Sequence, residues 1–392
     1  MYNVLKLNEI SNKTDKIFSK NYKLTKECEK PDAIILSSFN MQNYNLSENL
    51  LCIVKAGAEV NNIPVEKCTE QGIVVFNTPG ANANAVKELV LGCLLLGTRR
   101  VIDAIDWTKT LKENTMAEVE KNKVKFMGNE IMGKKLGVIG LGAVGALVAN
   151  ASADLGMNVL GYDPFISVDS AWGLNRSIRR VTDINIIFEE SDYITIHVPF
   201  KKSNVEFINK NNIKIMKKGV VIINCSHGGL VNNQDMMDSV KSKKIDRYIT
   251  DFPSPELLNI RNIICIPHLG GLTPEAEDNC AVTAAVELVN FIEHGTIKNS
   301  VNFPNCTMPH VGVCRLTIVH LNFRDFLSKI TSVISSKNIS IANFVGKTHG
   351  DYAYCMLDLD DMATPELIKE LNAIEGVIKV REIKVEKVNV SS

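Results

Sequence analysis

The stretch LGVIGLGAVGALVANASADLGMNVLGYD, Leu136–Asp163, decides the fold of this chain. A short apolar run leads into Gly140-x-Gly142-x-x-Gly145. A helical run follows, and a second apolar run ends in Asp163, eighteen residues past the last glycine. Strand, glycine turn, helix, strand and acid in that order make up a dinucleotide-binding unit. Gly140 lets the chain turn sharply out of the strand. Gly142 leaves room for a pyrophosphate against the backbone, and Gly145 lets the helix pack on the sheet. The helix N-terminus at Ala143 and Val144 offers free N–H groups and a partial positive charge to the phosphates. Asp163 would accept hydrogen bonds from ribose hydroxyls and repel a 2′-phosphate. Pro164 and Phe165 follow it, with no arginine. The expected cofactor is NAD.

Downstream, Tyr193–Pro199, Gly219–Cys225, Arg247–Phe252 and Asn262–His268 read as further strands. Apolar runs this continuous suit a parallel sheet buried on both faces. Ligands of such sheets sit beyond the strand C-termini. That rule selects His197, Cys225, Ser226, His227, Asp251 and His268. Pro199, Gly270 and Gly271 complete the expected cofactor side.

Upstream, Asp32–Ser38, Leu51–Gly57 and Ile73–Pro79 read as strands, and a helix is expected from Ala83 to about Asp103. The expected organisation is a small α/β domain over 1–100 and 272–303, rejoined by a helix from Thr273 to about Glu293. The dinucleotide domain takes 101–271. After Asn302-Phe303-Pro304 the pattern becomes βαββαβ, a ferredoxin-like unit over 312–386.

With 392 residues, two or three domains are expected. Lys+Arg and Asp+Glu both count 44, so no electrostatic pull toward nucleic acid or an anionic membrane is implied. The longest apolar run, Leu89–Gly97, is too short to span a bilayer. The N-terminal MYNVLKLNEI lacks a signal-peptide core. Ten cysteines lie scattered without a CxxC pair, which reads as reduced thiols and no metal site. A cytoplasmic protein is expected.

Three segments carry a resemblance: NTPGANANAVKEL (Asn77–Leu89), GKKLGVIGLGAVG (Gly133–Gly145) and PHLGGLTPEAEDNCA (Pro267–Ala281). They resemble the D-isomer-specific 2-hydroxyacid dehydrogenases, most closely the 3-phosphoglycerate dehydrogenases. The resemblance implies a flavodoxin-like substrate domain, a Rossmann NAD domain and a homodimer or homotetramer. It implies NAD-dependent oxidation of 3-phospho-D-glycerate to 3-phosphohydroxypyruvate, the first step of L-serine biosynthesis. His268 falls on the family's acid/base histidine. Glu256, five residues after Asp251, falls on its catalytic glutamate. Asp251 falls on its contact to the nicotinamide end of NAD. Lys55, Ala56, Gly57 and Ala58 fall on the substrate loop, where backbone N–H groups could hold a carboxylate.

This chain departs from the pattern on the substrate side. Where the family has an arginine that clamps the substrate carboxylate, Asn224-Cys225-Ser226 is followed by His227. Arginine offers a permanent charge and a planar fork; histidine offers one bond per ring nitrogen and a charge that depends on pH. Ser37-Ser38-Phe39 stands where an Arg-Ser pair is common, and Glu59 follows the substrate loop. The C-terminal unit resembles the ACT domain, a serine-sensing module, with His320 and Asn322 on its effector pair. Ser340 replaces the second asparagine, and Arg324-Asp325 replaces the usual Pro-Gly. Two other functions follow from these departures: turnover of a different small 2-hydroxy acid, or NAD binding as a sensor with weak turnover. The acid/base residues His268 and Glu256 favour an enzyme.

Overall fold

The computed structural model describes residues 1–112 and 115–384, which fold into two compact units. The first takes residues 1–81 and the chain from Glu277 onward; the second takes Asn82–Ala276.

In the first unit, β1 (Tyr2–Leu7), β2 (Tyr22–Thr25), β3 (Ala33–Leu36), β4 (Cys52–Lys55) and β5 (Val74–Phe76) form a parallel sheet. Their order, β2-β1-β3-β4-β5, is the flavodoxin-like one. β3 is AIIL and buried throughout, as a strand covered on both faces must be. The helix Pro274–His294 lays Ala281, Ala284, Leu288, Phe291 and Ile292 against Val4, Ile35, Val54 and Phe76. Leu5, Ile34, Leu36, Ile53 and Val75 fill the opposite face with Met41, Leu50, Ile63 and Cys68.

The second unit has seven parallel strands: β6 (Lys135–Ile139), β7 (Asn158–Tyr162), β8 (Arg179–Arg180), β9 (Tyr193–Ile196), β10 (Val220–Asn224), β11 (Ile245–Thr250) and β12 (Ile263–Cys265). The order β12-β11-β10-β9-β6-β7-β8 is doubly wound, and its direction reverses between β6 and β9. The domain boundary differs from the expected one. Residues 82–100 and 272–276 belong to this unit, not to the first. The helix Ala83–Arg99 buries Val86, Val90, Cys93 and Leu94 against Leu136, Val138, Val221, Ile223 and Ile249. An apolar helix face does not itself say which sheet it will cover. The expected single helix to Asp103 also breaks, at Arg100 in the left-handed region (φ 51°).

The C-terminal segment forms an antiparallel sheet of β13 (Cys314–Leu321), β14 (Ile341–His349), β15 (Tyr352–Leu359) and β16 (Val377–Lys384), ordered β14-β15-β13-β16. With the helices Phe326–Ser336 and Pro365–Asn372 this is the expected βαββαβ unit. Residues 385–386 of the expected 312–386 lie outside the described residues.

Cys314, Leu316 and Ile318 of β13 face the two helices, with Phe326, Ile330, Leu367 and Leu371. The alternate residues face the other way. Val319, Tyr354 and Met356 join the core of the first parallel sheet, so contacts place this segment in the first unit. The end of the helix Pro274–His294 and the residue after it offer backbone carbonyls to the C-terminal segment. Arg381 Nη2 donates to Phe291 O (2.6 Å), Arg315 Nη1 to His294 O (2.9 Å) and Tyr354 Oη to Gly295 O (2.6 Å). Arg315 is held by a bidentate pair with buried Asp358, at 2.6 and 2.8 Å.

Among the described residues no helix is long and apolar enough to cross a membrane. All ten cysteines are free thiols, and all but Cys28 and Cys265 are buried.

Candidate active site

The glycine turn leaves β6 at Gly140, whose φ is +90°. A Cβ there would come within 2.5 Å of His197 O, and one at Gly145 within 1.9 Å of Gly140 O. Both positions therefore require glycine. A Cβ at Gly142 would meet nothing within 4 Å. That open space lies at the start of the helix Ala143–Asp154, which has no side-chain cap. Its first N–H groups are free for a phosphate. Asp163 Oδ2 accepts from Leu141 N (2.9 Å) and Oδ1 from Phe165 N (2.8 Å). The carboxylate is thus fixed beside the turn, with a lone pair left on each oxygen for a ribose hydroxyl. The arrangement fits a dinucleotide. His197 bonds Thr195 Oγ1 through Nε2 (2.9 Å), and burial pushes its imidazole down to about 4, so it is a neutral packing group.

At the end of β10, buried Asn224 shapes the next turn. Its Nδ2 donates to His227 O (2.9 Å), and its Oδ1 accepts from Ser226 N (3.1 Å). Ser226 Oγ donates to Val198 O (2.6 Å), next to Pro199. Cys225 is buried beside Cys93, and that neighbour together with burial raises its thiol pKa, so it is not a thiolate nucleophile. His227 Nδ1 accepts from Gly229 N (3.0 Å). That bond uses the Nδ1 lone pair and so favours the tautomer with its proton on Nε2.

At the end of β11, Asp251 is 1% exposed. Its Oδ1 accepts from Leu269 N and its Oδ2 from Gly270 N, both at 2.7 Å, and its backbone O accepts from His268 N (3.1 Å). The turn 268–270 is wrapped around this carboxylate. A Cβ at Gly270 would lie 3.0 Å from Asp251 Oδ2, and one at Gly271 2.7 Å from Asn82 Nδ2. The turn holds His268 at φ +56°, a conformation that non-glycine residues adopt only when their surroundings enforce it. Its ring is exposed and leans on Phe252, 4.8 Å away. The oxygens of Asp251, expected at the nicotinamide end of the cofactor, bind the backbone of the turn that carries His268. Glu256 accepts from Asn233 Nδ2 (2.9 Å), which holds its carboxyl below the usual range. Among the described residues no hydrogen bond or ion pair joins Glu256 to His268. Asn233 holds one oxygen of the Glu256 carboxylate.

Four rings run in a row across these strand ends: Phe200, His227, Phe252 and His268. Sequence reasoning missed the two phenylalanines. The signal was present, since Phe200 follows Pro199 and Phe252 follows Asp251, each just past a strand end.

Residues 91–270 match the family model for the D-isomer specific 2-hydroxyacid dehydrogenase NAD binding domain. The chain is 30% identical to the D-3-phosphoglycerate dehydrogenase of Archaeoglobus fulgidus, covering 93% of this chain and 71% of the relative. It is also 30% identical to that of Escherichia coli, covering 86% and 82%. The chain belongs to the D-isomer specific 2-hydroxyacid dehydrogenase family. A crystal structure of NAD+-bound 3-phosphoglycerate dehydrogenase from Entamoeba histolytica aligns with a TM-score of 0.61 at 26% identity, over 77% of this chain and 98% of that one. The cofactor of this 2-hydroxyacid dehydrogenase is NAD.

The first unit holds the remaining candidates. Lys55 turns inward: its Nζ donates to Ser37 O and to Asn62 Oδ1 (3.3 Å), and burial lowers its pKa. Two of the three backbone donors expected to be free are taken. Ala56 N donates to Leu36 O (2.8 Å) and Gly57 N to Thr78 Oγ1 (2.8 Å). The N–H of Ala58 is left on an exposed turn beside exposed Glu59. The loop of this 2-hydroxyacid dehydrogenase thus presents fewer anion donors than its sequence suggested, because the fold uses them to close its own turn.

In the C-terminal sheet, His320 is 6% exposed and stacks on Phe326 at 3.4 Å and 7°. Its Nδ1 bonds Leu321 O (2.7 Å), and burial lowers its pKa. Asn322 is exposed and reaches Gly350 O (3.4 Å). The expected effector pair is therefore split between a packed ring and an exposed amide.

Proposed function

We propose that this chain oxidises 3-phospho-D-glycerate to 3-phosphohydroxypyruvate, the first step of L-serine biosynthesis. The observation that supports this most is His268, exposed on a turn that Asp251 holds from below. Bound NAD supplies the acceptor for the hydride on the substrate's C2. Gly140, Gly142, Ala143, Val144, Gly145 and Asp163 would hold its adenosine and pyrophosphate half. Pro199, Cys225, Ser226, Gly270 and Gly271 would line its other end. The neutral His268 ring takes the hydroxyl proton in oxidation, and the imidazolium returns it in reduction. Glu256 would stabilise the charged ring. In the second unit, His227 Nε2–H is the donor offered to an anionic group of the substrate.

A second reading keeps the chemistry and changes the acid. The bond at His227 Nδ1 supports it, since the ring then has only Nε2 left to meet an anionic group. A homodimer or homotetramer belongs to the proposal, supported by exposed apolar side chains at Leu95, Ile105, Met116, Val124 and Met127. So does a cytoplasmic setting, supported by ten free thiols. Serine as effector finds less support, because His320 would have to leave Phe326 to meet it.

NADH oxidation should be followed with 3-phosphohydroxypyruvate, hydroxypyruvate, pyruvate, glyoxylate and 2-oxoglutarate. The highest kcat/KM is expected with the phosphorylated acid. A higher value with another acid selects the second reading. No turnover with any of them, while NADH still binds, would leave a sensor.

A further inference from the structure

The first unit has a cavity of about 260 Å³ between the helix Pro274–His294 and the segment that follows it. None of its lining residues belongs to the sets assigned above to cofactor, substrate or effector. Val282 and Val286 give it apolar walls, and Glu287, Asn290, Lys298 and Asn299 give it polar ones.

Glu287 is 7% exposed. Its Oε1 accepts from Asn299 Nδ2 at 2.6 Å, and its Oε2 is buried with no hydrogen-bond partner. A buried oxygen left unbonded is costly, and burial raises the carboxyl to about 7. Lys298, on the exposed side of the same cavity, attracts this carboxyl without forming an ion pair with it. The amide of Asn290 is also unbonded among the described residues.

These groups specify a ligand by their chemistry. The free carboxyl oxygen calls for a donor, and a cationic donor also compensates its charge. The ammonium of Lys298 disfavours a ligand that is only a cation and offers a partner to an anion. The valines suit a short aliphatic link between the two charges. We propose that this cavity binds a small zwitterionic amino compound, its ammonium group on Glu287 and its carboxylate on Lys298.

The test uses the full chain and isothermal titration with glycine, β-alanine and 4-aminobutyrate. Butylamine and butyrate serve as single-charge controls. At least one zwitterion should bind roughly tenfold more tightly than either control. Glu287→Gln keeps the shape and removes the charge, and should weaken that binding by about tenfold or more. Lys298→Gln, at an exposed position, should weaken it several-fold without touching the fold. Val286→Trp, at a half-exposed wall, should block it by filling the cavity. Absence of binding by all three zwitterions up to about 10 mM would overturn the proposal. So would binding that survives Glu287→Gln or Val286→Trp, or butylamine binding as tightly as the zwitterions.

Discussion

The ring of His227 lies flat on that of Phe200, with centroids 4.0 Å apart and planes 13° from parallel. With Nδ1 bonded to Gly229 N, the ring is fixed in both position and tautomer. It offers one donor, Nε2–H, where the family places a planar fork. A guanidinium is planar and stacks on an aromatic face as well. His227→Arg should therefore keep the packing on Phe200 and add a charge-assisted bond to an anionic substrate. Such a bond contributes about 1.5–3 kcal/mol, or roughly ten- to more than hundredfold in kcat/KM. The two proteins should be compared from about pH 6 to 9 with the best 2-keto acid. If arginine brings no gain at any pH, this ring is not the substrate clamp.

Asp251 and His268 should behave as one unit. His268→Gln removes the acid/base group and should lower kcat by about 10²–10⁴ while leaving NADH affinity nearly unchanged. Asp251→Asn replaces an acceptor with an N–H donor that must face the N–H of Leu269 or Gly270. The turn then loses what holds His268 at positive φ. A fall in kcat of roughly ten- to hundredfold is expected, but only while His268 is present. A double mutant that loses the full product of the two single effects would show that Asp251 acts on something other than His268.

The cofactor half was legible because its signal is local. Gly140, Gly142, Gly145 and Asp163 lie within one strand–turn–helix–strand, and each glycine has a contact that only glycine tolerates or an opening that it leaves. The strand ends were legible too, since continuous apolar runs mark buried parallel strands. What those ends do together was not. Leu269 and Gly270 meet Asp251 eighteen and nineteen residues away in sequence, and the stacking of Phe200 on His227 depends on β9 lying beside β10. The direction of Lys55 was equally hidden, because a lysine after a strand reads as a charge offered outward until Ser37 O is found within its reach. The double burial of β13, from Cys314 to His320, marks a sheet covered on both faces, but the sequence names no partner for the second face.

Asp163 should set the choice between NAD and NADP. Its carboxylate is held at the glycine turn by two backbone N–H groups, so it cannot swing away from a 2′-phosphate. NADH is expected to bind at least about a hundredfold more tightly than NADPH, the scale of a charge repulsion combined with a lost hydrogen bond. Asp163→Ser keeps one acceptor and removes the charge. It should weaken NADH and bring the two affinities together in a fluorescence titration. An unchanged ratio would place the discrimination elsewhere.

Arg315 and Asp358 are almost fully buried, and Arg315 also serves His294 O and Pro309 O. Removing one partner leaves a buried charge uncompensated. Asp358→Leu should destabilise the first unit by about 3–5 kcal/mol, whereas Arg315→Met combined with Asp358→Leu should cost clearly less. Chemical unfolding of the three proteins checks this. If the double variant is no more stable than Asp358→Leu alone, the loss comes from the carbonyls that Arg315 serves and not from the unpaired charge.

Glu287 gives the ligand-free protein a pH dependence whose direction is fixed by its burial. Its carboxyl is raised from 4.5 to about 7, because burial outweighs the bond from Asn299 and the attraction of Lys298. Between those values the folded chain keeps a proton that the unfolded chain has released. Stability from this group is therefore complete below about pH 4.5, falls as pH rises toward 7, and is flat above that. A difference of this size corresponds to roughly 3 kcal/mol as an upper figure. Glu287→Gln removes the titration, so the difference in unfolding free energy between variant and wild type should grow in the variant's favour from about pH 5 to pH 7 and then level. Urea unfolding at several pH values in that window measures the difference directly, and other titrating groups cancel in it. Two parallel curves would mean that Glu287 is already ionised in the folded protein, with its second oxygen reached by a donor.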